Sequence, residues 1–220
     1  MSNVSRLGRA CAAVAGLALL PVLGSATPAS AHQLRYADAV HDVQKIDASS
    51  SSGRPVADPT ATNGDIKDVF VHYRAGRLVI RANYVELTRR EDTLLTFVGE
   101  IKTDADRRWL YQVDTSFGRY AGHDHLRTYR RFRAVCEIGH YFGYRQNFTR
   151  VVVPLSCLGN PRWVKVSVGA ATIRFDEAKL KALLDSDGSR LPAGLVVLRA
   201  DDASRSDVAD QLRFTPRIYR

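Results

Sequence analysis

The chain has 220 residues, with 32 Lys plus Arg against 23 Asp plus Glu and a formal net charge of +9. Hydrophobic residues make up 45% and charged residues 25%, which excludes wholesale disorder and collagen-like repeats. No long apolar run occurs beyond the N-terminus, so a multi-pass helical membrane protein is excluded as well.

Residues 1–31 read as a signal peptide. Arg6 and Arg9 form a positive start, Ala10 to Leu23 is apolar but broken by Pro21, and Ala29-Ser30-Ala31 is a small-x-small cleavage site. Cleavage after Ala31 makes His32 the mature N-terminus and predicts a secreted, extracellular protein. It also removes Cys11 and leaves Cys136 and Cys157. Two cysteines in an oxidising compartment favour a disulfide. No Cys-x-x-Cys pair supports a zinc site.

Residues 32–63 form a loop-rich lead-in, with a Ser/Gly cluster at Ser49 to Gly53, Pro55 and Pro59, and one short strand around Tyr36–Val43. Residues 64–220 form the main domain. Val69, Val71 and Tyr73 alternate with Phe70, His72 and Arg74. The Ala75-Gly76 turn and a second strand from Leu78 to about Leu87 complete a hairpin. Further strands are expected at Thr93–Lys102, Trp109–Val113 and Leu126–Ala134, from Cys136, and at Phe148–Val153 and Trp163–Ala171. Leu195–Ala200 and Leu212–Phe214 supply late ones. Leu180, Leu183 and Leu184, preceded by Asp176 and Glu177, predict one short helix over 176–184. Many short strands without sustained strand–helix alternation predict an all-β protein, an antiparallel sandwich of jelly-roll or immunoglobulin-like type.

Two stretches carry a resemblance. One is Asn63-Gly64-Asp65-Ile66 with the acidic lead-in Tyr36-Ala37-Asp38 and Asp42-Val43. The other runs Val153-Pro154-Leu155-Ser156-Cys157-Leu158-Gly159-Asn160-Pro161-Arg162-Trp163-Val164. Together they resemble a group of exported actinobacterial β-sandwich proteins. The Asp-Ile-strand opening is also similar to the DOMON and family-nine carbohydrate-binding sandwich group. The resemblance implies a secreted domain with a Cys136–Cys157 bridge and carries over no catalytic residue.

Loop carboxylates are the first candidate site. Asp38, Asp42 and Asp65 lie in a region where carboxylates and carbonyls together suit a structural calcium, although no EF-hand spacing is present. Asp also simply favours turns. His32 is the second candidate, because its amine and ring can chelate copper together with another histidine, of which His72, His123, His125 and His140 are available. His123-Asp124-His125 reads as a polar loop whose two rings can share a metal. The third is a basic stripe: Arg127, Tyr129, Arg131 and Arg133 alternate on a predicted strand, and guanidinium groups grip phosphate, sulfate or carboxylate. The fourth is an aromatic cluster between the two cysteines, where Tyr141 and Tyr144 can stack on sugar rings. Trp109 and Trp163 read as core.

No Gly-x-Ser-x-Gly elbow, His-Glu-x-x-His pair or phosphate loop occurs. The expectation is therefore a non-catalytic secreted or cell-envelope binding module, with an extracellular glycan or polyanion as partner and no cofactor beyond a calcium ion. The competing readings are a metal-dependent secreted enzyme using His32 or His123/His125, and a structural surface protein that binds a protein partner.

Overall fold

A computed structural model describes residues 32–47, 54–74, 76–90, 93–114, 121–175, 178, 196–202 and 213–220. The expected signal peptide and most of the expected helix over 176–184 lie outside these residues; Ala178, which is described, is helical.

Alternation of apolar and polar residues sets the first hairpin. β4 (Ile66–Arg74) and β5 (Arg77–Tyr84) pair antiparallel, Val71 opposite Ile80 and Phe70 opposite Arg81. Val69, Val71 and Tyr73 are buried, as are Leu78, Ile80 and Ala82. Lys67 is the extra residue of a bulge in β4, where the register shifts between Ile66 and Asp68. The same period-2 logic builds β6 (Thr93–Thr103), β7 (Arg108–Asp114), β10 (Phe148–Pro154) and β11 (Trp163–Phe175). Trp109, Tyr111 and Val113 of β7 face inward together, as do Val164, Val166 and Val168 of β11.

The remaining strands are β1 (Gln33–Ala37), β2 (Gln44–Asp47), β3 (Val56–Ala57), β8 (Ala121–Thr128), β9 (Ala134–Gly143), β12 (Val196–Asp202) and β13 (Ile218–Tyr219). All described strands join one antiparallel sheet in the order β1-β4-β5-β10-β9-β8-β7-β6-β11-β12-β2-β3, with β13 on β11. The expected antiparallel all-β architecture is therefore present, as a single curled sheet. Its curl brings β4 against β11 from distant places in the order. Two hydrogen bonds close the curl: the Tyr73 hydroxyl donates to the Pro161 carbonyl, and the Ile66 amide donates to the Asp201 carboxylate. The concave side holds the core, with Tyr73, Phe97, Tyr111, Leu126 and Phe142 among its largest members.

Cys136 in β9 forms a disulfide with Cys157 in the short 3-10 turn Leu155–Leu158, Cα to Cα 5.7 Å. Leu155 and Leu158 are buried beside it.

Several sequence expectations shift. The strand expected over Leu126–Ala134 is displaced: β8 ends at Thr128, and β9 begins at Ala134. Between them the Phe132 amide donates to the Thr128 carbonyl, with Phe132 left-handed at φ 49°. His123 to His125, expected in a loop, lie inside β8. Residues 213–217 carry no strand, so the late strand falls instead at Ile218–Tyr219. Trp109 is in the core, whereas Trp163 is only half-buried, with the Arg217 guanidinium 4.6 Å from its ring centre.

Candidate functional site

Strand register assembles a mixed aromatic and cationic row on the convex face. Arg35 of β1 lies opposite Phe70 of β4, Phe70 opposite Arg81 of β5, Arg81 opposite Arg150 of β10, and Arg150 opposite Tyr141 of β9. Neighbours at odd offsets (Val71, Ile80, Val151) are buried, so row members face outward by alternation. Adjacent strands stand about 4.8 Å apart, so the row crosses the sheet over roughly 19 Å.

Contacts within the row fix the side chains. The Arg81 guanidinium sits 4.0 Å above the Phe148 ring centre, and its Nε donates to Asn83 Oδ1 at 2.9 Å. Tyr141 and Phe148 have ring centres 5.6 Å apart, and Arg150 lies 5.7 Å from the Tyr141 ring. Tyr141 is 37% exposed and Arg150 is exposed. Arg35 donates to Asp68 at 3.3 Å, while Asn83 Nδ2 donates to the same carboxylate at 2.6 Å. Asp68 is thus paired with Arg35 of the row. His72, two residues beyond Phe70 on β4, has its pKa lowered, first by burial and then by Arg74, His32 and Arg77. A cleft of about 560 Å³ opens beside the row, lined by Lys67, Phe70, Arg81, Asn83 and Asn147.

Asn147 itself is committed to structure. Its Oδ1 accepts from the Leu87 amide at 3.1 Å and its Nδ2 donates to the Val85 carbonyl at 3.3 Å. The Asn147 side chain is therefore a clamp on the backbone from Val85 to Leu87.

A second cluster is acidic. Among the described residues, one group of three potential metal ligands occurs, Asp42, Asp65 and Asp201, with donor atoms all within 4.8 Å of one another. Asp65 follows Gly64, whose φ of 88° and 3.0 Å approach to Thr172 from a would-be Cβ require glycine. His41, left-handed at φ 68°, turns its amide onto Asp65 Oδ2 at 2.9 Å. Burial pushes the Asp65 carboxyl pKa up, and nearby Asp42 adds to the shift.

The sequence candidates are distributed as follows. Arg127 lies on β8, while Tyr129, Arg131 and Arg133 fall in the β8–β9 turn. They do not share one strand face. Tyr129 instead carries the Arg108 guanidinium 4.2 Å from its ring centre. Tyr141 is on the outer row, but Tyr144 packs against the core, its ring stacked on Phe142 at 6.3 Å. Asp42 and Asp65 come together, whereas Asp38 turns back onto its own loop and accepts from the Ala39 amide at 3.0 Å. Asp201 takes the third place. His32 is exposed, and its carbonyl accepts from the Tyr73 amide. His125 is exposed, and the three-ligand group contains no histidine.

Arg35, Phe70, Arg81, Arg150 and Asp201 were not singled out by the sequence. The only early signal was the outward parity of Phe70 in the first hairpin. No known protein family matches the chain, and no curated protein or solved structure matches it.

The lead-in is tied to β12 by a further ion pair. Arg199 Nε donates to Asp58 Oδ2 at 2.7 Å, with side chains 30% and 14% exposed. The Arg199 hydrogen bond holds the Asp58 carboxyl pKa below the ordinary carboxylate value. A depressed carboxylate contributes stability fully above its unfolded pKa of about 3.9 and loses it as pH falls through the folded value. Arg199→Met should therefore reduce the acid sensitivity of unfolding below about pH 4 and cost roughly 1 kcal/mol at neutral pH. Urea titrations between about pH 3 and pH 7 check this; parallel pH profiles for the two proteins would refute it.

Proposed function

We propose that the protein is an exported, non-catalytic binding module for an acidic polysaccharide, with the two halves of its curled sheet serving as the layers of a β-sandwich. The observation that carries this reading is the row Arg35–Phe70–Arg81–Arg150–Tyr141. Aromatic faces stack on the apolar faces of sugar rings. Guanidinium forks pair with carboxylate or sulfate between them. Aromatic rings and guanidinium groups interspersed along a line suit an extended ligand that presents both apolar ring faces and anionic groups. The contact of β4 with β11 across the curl supports the layered reading. Export is supported by the n-region, apolar stretch and cleavage site in residues 1–31, and by the Cys136–Cys157 bridge.

The test is binding to uronate-containing or sulfated glycans across a salt series. Affinity should fall steeply with salt, because exposed charges are screened within about 10 Å at 0.1 M. The Arg81→Ala/Arg150→Ala double variant should weaken binding on the order of tenfold to a hundredfold, since each charge-assisted hydrogen bond is worth about 1.5–3 kcal/mol. Arg131→Ala/Arg133→Ala, in the turn away from the row, should leave affinity within about twofold. Binding that ignores salt, or survives loss of Arg81 and Arg150, would refute the reading. Preference for single-stranded nucleic acid over every glycan would reassign the ligand.

A further inference from the structure

We propose that Asp42, Asp65 and Asp201 hold one calcium ion that pins the lead-in to both ends of the curled sheet. The inference stands apart from the glycan reading, because the cluster shares no residue with the aromatic and cationic row. Asp42 comes from the loop between β1 and β2, Asp65 from the turn before β4, and Asp201 from β12. The fold thus converges three remote segments on one point, where each brings an oxygen within 4.8 Å of the other two. Like charges at that spacing repel, and more strongly where water is excluded.

A second observation points to a ligand. Asp65 is 0% exposed. Its Oδ2 accepts the His41 amide, but its buried Oδ1 meets no hydrogen-bond donor. A buried carboxylate oxygen left without a donor is costly. A cation answers both the missing partner and the crowding of charge.

The donor set selects the ion. The three converging donors are carboxylate oxygens, a hard set suited to calcium or magnesium rather than zinc or copper, and the exposed His41 ring stands outside it with Nδ1 3.8 Å from Asp65 Oδ2. Calcium accepts flexible ligation by several protein carboxylates, whereas magnesium keeps several waters and is held by one or two carboxylates, so a three-carboxylate set favours calcium. Backbone amides already orient two of the carboxylates: His41 donates to Asp65 and Ile66 donates to Asp201. Such outer contacts position metal ligands. The left-handed backbone at His41 is what turns its amide onto Asp65 and places Asp42 next in the chain.

The experiment is calorimetric titration of calcium chloride into chelator-treated protein, with thermal unfolding in parallel. One calcium should bind per chain, with affinity in the range of extracellular calcium modules, about 0.1–1 mM or tighter, and should raise the unfolding midpoint. Asp65→Asn and Asp42→Asn should each weaken binding by more than the roughly tenfold typical of losing an outer-shell contact. Asp42 is only partly buried, so its variant keeps the test valid if Asp65→Asn fails to fold. Absence of binding and of any midpoint shift with millimolar calcium would overturn the proposal. So would calcium binding that persists unchanged in Asp42→Asn, because the ion would then sit elsewhere. Equal stabilisation by magnesium would overturn the choice of calcium.

Discussion

Gly99→Ala should destabilise the protein by about 3 kcal/mol, at the upper end of the usual cost of overpacking. Gly99 sits mid-strand in β6, opposite Tyr111 of β7 and Val168 of β11. A Cβ there would stand 2.2 Å from the Tyr111 hydroxyl oxygen and 2.4 Å from the Ser167 carbonyl oxygen. Neither can retreat cheaply. Tyr111 is 0% exposed and packs on Phe97 with ring centres 5.8 Å apart. The Ser167 oxygen belongs to the backbone of β11, which is paired with β6 along its length. The added methyl must therefore spread β6 from a neighbour or rotate a locked ring. Gly139 is the control. It lies in β9 opposite Val152, and a Cβ there meets nothing within 4 Å. Gly139→Ala should change stability by less than about 0.5 kcal/mol, or raise it by restricting the unfolded chain. Urea unfolding of the two variants checks the contrast; equal curves would show that the sheet yields at Gly99.

The contrast also shows what the chain discloses before folding. Gly99 and Gly139 look alike in sequence, each a lone glycine in a β-rich run. Their difference depends on what lies across the strand. The same rule separates the legible from the illegible elsewhere. The β4–β5 hairpin could be read because its partners are neighbours in the chain and a turn joins them. The inward sets Trp109–Tyr111–Val113 and Val164–Val166–Val168 could be read because period-2 burial is a local property. The row Arg35–Phe70–Arg81–Arg150–Tyr141 could not, since it needs β10 between β5 and β9, and long-range pairing leaves no local mark. Asp201 was hidden for the same reason, being brought to Asp42 and Asp65 only when β12 joins the sheet's far end. The basic stripe failed on a different count. Arg127, Tyr129, Arg131 and Arg133 have the right parity for a strand, but parity says nothing about where a strand ends. β8 stops at Thr128, and beyond it alternation no longer assigns faces.

Removing the disulfide should cost about 3 kcal/mol on the chain-entropy account, given a separation of 21 residues between Cys136 and Cys157. The native contacts bear on how that loss shows itself. β9 and β10 are already paired from Phe148 opposite Gly143 to Val152 opposite Gly139, so the bridge does not hold the hairpin together. It anchors the turn that follows, Leu155–Leu158, whose Leu155 and Leu158 are buried. Released from Cys136, that turn is tethered by the Leu155 amide on the Gly76 carbonyl and the Asn160 amide on the Leu155 carbonyl. The first reaches to the β4–β5 turn and the second lies within the turn itself, and each is worth about 1 kcal/mol. Cys136→Ala/Cys157→Ala should accordingly unfold at lower urea with an equal or steeper slope, because the folded surface is the same and the unfolded chain, freed of its constraint, exposes at least as much surface. A lowered slope would instead mean that the native sheet opens near β9, where Tyr141 lies. Wild-type protein unfolded in reductant should follow the double variant to within about 0.5 kcal/mol. Coincidence of the reduced and oxidised curves would remove the bridge as a source of stability. Material kept reduced should lack the same increment of about 3 kcal/mol, so the chain should be more stable when folded in an oxidising compartment than in a reducing one.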